Sequence, residues 1–528
     1  MARYKHYDLN QTKMIPLCYA DQILPGSFEH ALGEIVEQHL DLTAFDQRYH
    51  NDQTGRLAYD PKVLLKIVIY GYYKGLLSSR QLEEACQRNI IFMALSADTR
   101  PHFTTIASFV RELHREIVDL FRDVLLYASE LGLIGSEHFA VDGCKLPSNA
   151  SKQWSGTHAE LEEKRKKLQG VAERIIQRHQ DQDSAEDGAK ASAGHAKKLE
   201  HYQRKMNQLE TLLRDTDKKL GPTGNEQKTN LTDPQSAKMK SSRGIIQGYN
   251  GLAVVDDRAQ IVVHAQAQGS GYEGHLLAPL LEQTRDCFSP LVGGRDILKQ
   301  VKVTADSGFH SKAVVAAVEQ IGADAYIADR EYRRRQPTYA AAARHRERHN
   351  KERRLHRSKL RQAAPPAEKK QFTAEDFSYD LERMECVCPA GNKLYPAGKD
   401  MLFNGYRVAR FKAPITACRN CPLRVKCLRK PDRTPQRQLT IIKHTEGPPQ
   451  KAKPNKHAPT ERMRFKFDSP SGRQLYAKRM GTVEPVFGNI QNKGMRRFTM
   501  RGQIKVNAQW QLFTIVHNIE KIARVRRQ

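Results

Sequence analysis

Two aspartates stand where carboxylates can do chemistry. Asp142 closes the apolar run His138-Phe139-Ala140-Val141 and precedes Gly143; Asp306 closes Val301-Lys302-Val303-Thr304-Ala305 and precedes Ser307-Gly308. Both runs predict strands, and strand-end carboxylates beside small residues reach an open sheet edge where a phosphate can approach the backbone. Phosphodiester cleavage without a covalent intermediate needs a water nucleophile, stabilisation of the pentavalent phosphorus and a stabilised leaving oxygen. Two divalent ions about 3.5–4 Å apart supply all three. Mg²⁺ takes few protein ligands, so two or three convergent carboxylates suffice. The same residues have plain structural readings, Asp142-Gly143 as a turn and Asp306 as the cap of a following helix.

Sulfur marks a second centre. Of nine cysteines, Cys386, Cys388, Cys418, Cys421 and Cys427 crowd into one short segment. An odd number, clustered, fits a reducing compartment and a metal site better than a disulfide framework. A Cys-x-x-Cys opposite another close pair predicts a tetrahedral zinc, with five thiols for four positions. A redox pair is the alternative. Zinc would fold a segment with little apolar content of its own. Cys18, Cys86, Cys144 and Cys287 read as ordinary semi-buried residues.

Near the C-terminus the segment Tyr476-Ala477-Lys478-Arg479-Met480-Gly481-Thr482-Val483-Glu484-Pro485-Val486-Phe487-Gly488-Asn489-Ile490 resembles the signature of DDE transposases from bacterial insertion sequences. The resemblance extends to Ala140-Val141-Asp142-Gly143 with Asn149-Ala150-Ser151, and to Ala305-Asp306-Ser307-Gly308-Phe309. It also takes in Asp60-Pro61, Tyr70-Gly71-Tyr72, Ser78-Ser79-Arg80 and Thr104-Thr105-Ile106. It implies an RNase H-like fold in which Asp142, Asp306 and Glu484 bind Mg²⁺ or Mn²⁺. Tyr476, Arg479 and Lys493 would hold transposon-end phosphates, and Cys388, Cys418, Cys421 and Cys427 would bind structural zinc with Cys386 spare. Two departures stand in the sequence. Four residues, not three, separate Arg479 from Glu484, and Gln491 occupies the place of the usual Lys, with Lys493 two residues on. Pro485 also predicts an interruption of any helix carrying Glu484.

The bulk composition agrees with a polyanionic partner. In 528 residues, 87 Lys and Arg face 59 Asp and Glu, a formal charge of +28, a surplus that points to nucleic acid. No apolar run approaches the roughly 20 residues of a membrane span; the best, Val63 to Tyr73, is broken by Lys66. The N-terminus lacks the apolar core of a signal peptide. The expectation is a cytoplasmic, nucleoid-associated bacterial protein.

These residues must be positioned by several domains, because single cores rarely grow beyond roughly 250–300 residues. Residues 1–135 read as helical: Pro61 opens one helix, Ser78 and Gln81 have capping-box spacing for a second, and a third begins near Thr104. With Arg80, Arg88, Arg100 and Arg111 interspersed, this suits a helix-turn-helix-like DNA-binding module and equally a bundle for packing or dimerisation. Residues 136–330 carry strands at His138–Asp142, Ile245–Val255, Ile261–Gln268, Val301–Asp306 and Ala325–Ala328, with helices near 274–286 and 312–320, a mixed sheet covered by helices. Within it, 158–220 carries two apolar seams, through Leu161 and Leu168 and through Leu199, Leu209 and Leu213, and predicts a helical hairpin. Residues 331–470 form a basic, cysteine-bearing insertion whose run Arg330 to Arg361 suits non-specific phosphate contacts; a Pro- and Lys-rich linker lies near 448–459. Residues 471–528 complete the core. The expected fold class is mixed α/β: an all-α N-terminal domain, then an RNase H-like core interrupted by the hairpin and the zinc insertion.

The leading expectation is a transposase that binds inverted-repeat ends as a homodimer on double-stranded DNA, cuts the 3′ strand and joins it to target DNA. The rivals are a nuclease without a joining step and a non-catalytic DNA-binding protein derived from a transposase. Trp154 could stack on a base or simply pack, His310 reads as a surface residue, and Trp510 reads as core.

Overall fold

The computed structural model describes residues 16–49, 57–182, 189–221, 224–241, 244–291, 293–335, 371–403, 406–443 and 458–526. The basic run after Arg335 and most of the 448–459 stretch lie outside these residues. The chain divides into two compact units, Met1–Arg330 with Met463–Gln528, and Glu331–Arg462.

The first unit opens with helices α1 (Phe28–Glu34), α2 (Pro61–Tyr73), α3 (Ser79–Arg88), α4 (Ile90–Leu95), α5 (Phe103–Glu112) and α6 (Ile117–Glu130). Local chemistry sets their starts. The Asp60 side chain accepts from Lys62 N–H with Pro61 at the first helical position, and Ser78 and Gln81 form a capping box, each satisfying backbone donors the helix leaves unpaired.

A six-stranded mixed sheet follows: β1 (His138–Pro147), β2 (Ala237–Ser241), β3 (Gly244–Asp256), β4 (Val262–Gln268), β5 (Lys302–Ala305) and β6 (Asp324–Ile327), in the order β2-β3-β1-β5-β6 with β4 also on β3. β1 is antiparallel to β3 and parallel to β5, which is parallel to β6. Between β1 and β2, α7 (His158–Gln182) and α8 (Ala189–Asp215) pack together through Leu161, Leu209 and Leu212. Trp154 joins that cluster, with Lys205 Nζ 5.2 Å from its ring centre.

Alternate residues of β1 face opposite sides. Phe139 meets Phe288 of α9 (Leu277–Phe288) with ring centres 5.6 Å apart, and Asp142 meets Arg479 of α11 (Pro470–Asn492). Helices therefore cover both faces. α10 (Lys312–Gln320) links β5 to β6, and α12 (Gln503–Val525) is buried along nearly its whole length. Trp510 of α12 is fully buried and donates its indole N–H to Leu252 O at 2.8 Å. One continuous core runs from α2 and α6 through α12 into the sheet, so the N-terminal helices share their packing with the strands.

The second unit holds a five-stranded antiparallel sheet: β7 (Ser378–Asp380), β8 (Glu385–Val387), β9 (Lys393–Phe403), β10 (Tyr406–Lys412) and β11 (Gln438–Ile442), ordered by sequence from one edge to the other. Its core is small, built on Phe377, Cys386, Leu394, Phe411 and Leu439. Among the described residues, no helix is long and apolar enough to cross a membrane.

Candidate active site

Register places the first two carboxylates. β1 and β5 pair in parallel from His138↔Lys302 to Val141↔Ala305. Asp142 and Asp306 are the next residues on each strand, side by side at the C-terminal end of a parallel pair. That end of an open α/β sheet is where strands leave a crevice for ligands. Asp142 does not end its strand, as the apolar pattern implied. β1 continues to Pro147 because β3 goes on pairing with it, and only the β5 side stops.

One helix contributes the groups that face this pair. Arg479 Nη1 donates to Asp142 Oδ2 at 2.9 Å, and its Nη2 lies 3.9 Å from Asp306 Oδ1. The Tyr476 hydroxyl donates to Asp306 Oδ1 at 3.5 Å, and the Arg479 guanidinium sits 5.5 Å from the Tyr476 ring centre. Side-chain exposure is 8% for Arg479, 24% for Asp142 and 45% for Asp306. A buried cation thus bridges two carboxylates, one sheltered and one facing water. Burial pushes the Asp142 carboxyl above its ordinary value, and Arg479 works against that shift. Asp306 begins the turn Ser307–Phe309 but makes no capping bond with its side chain, so its oxygens face Tyr476 and Arg479 instead.

Glu484 stands apart. It is exposed on α11, five residues past Arg479, which at about 100° per residue puts it roughly 140° around the helix. Among the described residues, no three His, Cys, Asp or Glu side chains close into a group that could hold a metal ion. Lys493 is buried and pairs with Glu520 at 3.0 Å, its ammonium 4.1 Å from the Tyr73 ring centre.

α11 is unbroken despite Pro485. Proline has no N–H to give the carbonyl four residues earlier, and that carbonyl, Gly481 O, accepts instead from Gln260 Nε2 at 2.8 Å. Gln260, held at φ +59° in the turn between β3 and β4, is braced by Lys521 on its side chain and by His517 on its carbonyl. Gln260→Ala should therefore destabilise the first unit by about 1–3 kcal/mol. Pro485→Ala, which restores the N–H, should shrink that cost in a double-mutant cycle followed by urea unfolding. Undiminished cost in the Pro485→Ala background would show that Gln260 acts elsewhere.

Glu273 escaped the sequence reading, since nothing in Tyr272-Glu273-Gly274 signals chemistry. Its carboxylate pairs with Lys145 of β1 at 3.1 Å. A side-chain carbon added at Gly308 would lie 3.8 Å from Glu273 Oε2, which puts Glu273 against the turn that follows Asp306.

In the second unit Cys388, Cys418, Cys421 and Cys427 line one cavity of about 20 Å³, room for a single water-sized species. Cys386 is buried in the sheet core. The Cys388 turn is closed by Gly391 N–H to Cys388 O at 2.8 Å and by Cys388 N–H to Asn392 O at 3.0 Å. Gly391 adopts φ +81° there, a conformation glycine takes without steric cost. Burial raises the Cys427 thiol, with Arg437 opposing and the other three sulfurs adding to it. Among the N-terminal arginines, Arg88, Arg100 and Arg111 are exposed, and Arg80 lies 4.3 Å from the Phe103 ring centre.

Comparison with known families places two segments. Residues 387–523, from the Cys388 turn through α11 and most of α12, match the family described as Transposase DDE domain. Residues 18–112, covering α1 to α5, match Transposase domain (DUF772). Asp142 and Asp306 lie outside both matched segments. No curated protein and no solved structure matches the chain. A DDE-type transposase domain and a transposase-associated domain are thus present in this chain.

Proposed function

We propose that this protein is the transposase of a bacterial insertion sequence: it binds the inverted-repeat ends of its element, cuts a DNA strand and joins the freed 3′ end to target DNA. The observation that carries this reading is the pairing of Asp142 with Asp306 past the end of a parallel strand pair, bridged by Arg479 from the helix that also bears Glu484. Hard oxygen donors on two rigid strands suit Mg²⁺ or Mn²⁺, and the guanidinium between them marks the place as one where positive charge is favoured. Asp142 and Asp306 would hold the ions, and Glu484, exposed on another face of α11, would join them as the third carboxylate only if the helix turns or DNA brings it round. Two such ions supply Lewis-acid stabilisation to the attacked phosphate and to the leaving oxygen.

In cleavage, water adds to phosphorus as the P–O3′ bond breaks, and the freed 3′-hydroxyl then attacks a target phosphorus with loss of a second 3′-oxygen. The chain's own part is positioning. Tyr476 and Arg479, packed under the carboxylates, fix their orientation, and Arg479 offsets their mutual repulsion. The exposed arginines of α3 and α5 suit phosphate and base contacts on duplex ends, and two chains would hold two ends. The direct test is to incubate the protein with its element's ends and Mg²⁺ and size the products. Intact DNA, or nicks at random positions, would refute the reading.

Because burial raises Asp142, protons should compete with metal at a higher pH than for an ordinary carboxylate near 4. Mn²⁺ affinity, read by electron paramagnetic resonance, is expected to fall on acidification beginning above that value. In Asp142→Asn the part of that pH dependence above the ordinary carboxylate range should vanish along with most of the affinity; if it persists unchanged, another group controls it.

The second unit is proposed to hold one structural zinc on Cys388, Cys418, Cys421 and Cys427: all four line one small cavity, and zinc would draw them together into the tetrahedral sulfur set that they do not form as placed. Metal analysis should give one zinc per chain, lost in Cys418→Ser and retained in Cys386→Ser. Chelation should unfold this unit, whose apolar core is small. Retention of zinc by Cys418→Ser would remove that thiol from the ligand set.

A further inference from the structure

β1 outruns its parallel neighbour. It pairs with β3 as far as Pro147 but with β5 only to Val141, so the edge from Gly143 to Pro147 has no strand beside it on the β5 side. That edge borders a groove of about 770 Å³ that begins at Gly143, the residue after Asp142, and is lined by Gly143, Lys145, Lys240, Glu273, Asn492 and Arg496. Glu273 is matched by Lys145 at 3.1 Å. Lys240 and Arg496 are exposed, and neither has an ion-pair partner among the described residues. The groove therefore carries net positive charge beside a pair of carboxylates.

We infer that this groove seats one or two unpaired nucleotides of the strand being cut, with Lys240 and Arg496 on their phosphates and the Asn492 amide toward their bases. The inference rests on the strand-cutting reading above and adds to it the state of the DNA at the cut. Charge selects a polyanion. Size favours a single strand: about 770 Å³ falls within the roughly 300–1,000 Å³ of cavities that take compact ligands, room for one or two nucleotides. The free edge of β1 from Gly143 to Leu146, which ends where Phe498 N–H donates to Pro147 O at 2.8 Å, lets a sugar-phosphate chain lie along the strand toward Asp142. The end must then be opened over one or two base pairs at the point of cleavage.

The test uses the full chain and two forms of the element's end, one fully paired and one with two mismatched base pairs beside the cut. Binding is followed by fluorescence anisotropy across a salt series and cleavage by product sizing with Mg²⁺. The wild type should bind and cut the opened end at least about tenfold better than the paired one. In Lys240→Gln/Arg496→Gln that preference should disappear, with affinity for the paired end within about threefold of wild type. The salt slope on opened DNA should fall by about 1.4, the amount for two single-strand phosphate contacts. Equal weakening on both DNAs would make the groove an ordinary duplex contact and overturn the inference, as would no change on either. Tighter binding of the opened end by a wild type that cuts neither DNA would uphold the groove and sink the strand-cutting reading instead.

Discussion

Asp142→Asn and Asp306→Asn are each expected to reduce strand cleavage by at least roughly a thousandfold, with affinity for the ends held within about threefold. Both residues sit one step past Val141↔Ala305, so an amide of nearly the same shape leaves the strands and their pairing in place. What changes is charge. An amide is a weak ligand for a hard cation, and the lost oxygen anion is the one that Arg479 and the proposed ions share. End binding is proposed to rest on other surfaces, including the exposed arginines of the N-terminal helices, and should be spared. Cleavage within tenfold of wild type in either variant would remove that residue from the catalytic machinery. Equal loss of binding in both would make them structural.

Glu484→Gln sharpens the same experiment. Glu484 faces solvent, about 140° around α11 from Arg479. A loss as large as that of Asp142→Asn would show that α11 turns, or that DNA brings the carboxylate round. A loss below tenfold would pass the third carboxylate's role elsewhere, and Glu273, against the turn after Asp306, is the next residue to replace.

The sequence exposed the centre of the site and concealed its surroundings, for identifiable reasons. β5, α10 and β6 were legible because their apolar residues repeat at strand and helix spacing, a local signal. The end of β1 was misplaced because Gly143-Cys144-Lys145 breaks the alternation, while the pairing that extends the strand comes from β3, a hundred residues later. β2 went unread since Lys238 and Lys240 alternate with Ala237 and Met239 in a stretch that otherwise looks like loop. The strands of the second unit are short and rich in charge, and only their partners make them strands. Pro485 was expected to interrupt α11 and does not, because Gln260 supplies the missing donor from a distant turn. Trp510 read correctly as core, since helical spacing of apolar residues needs no distant partner. Resemblance could align Glu484 with a catalytic role but could not set the face of the helix on which it stands.

Lys493 carries the second large expected effect. Lys493→Met should destabilise the first unit by about 3–5 kcal/mol while leaving the salt dependence of end binding unchanged. Its ammonium is 3.0 Å from Glu520 Oε2, and the two side chains are only 9% and 11% exposed. Glu520 also accepts from Asn489 at 2.7 Å and Arg524 at 2.7 Å. Removing Lys493 takes away the buried cation and leaves Glu520 to the exposed Arg524 and the neutral Asn489 amide, which costs more than the pair's own attraction. Burial acts to raise the Glu520 carboxyl, yet the bonds from Asn489 and Lys493 outweigh it and hold the group at about 2. A carboxylate lowered on folding stabilises the fold above its unfolded value near 4.3, and that contribution is lost as pH falls from there toward 2. Wild-type stability, measured by urea unfolding across this range, should decline with acid, and Glu520→Gln should flatten the decline. Lys493→Met/Glu520→Met should be less destabilised than either single variant, because no buried charge is left alone. A phosphate contact predicts something different. Lys493→Met would then keep its stability, and the salt slope on duplex DNA would fall by about 0.9, the amount for one lost contact. That result would move Lys493 from the core of the fold back to the DNA.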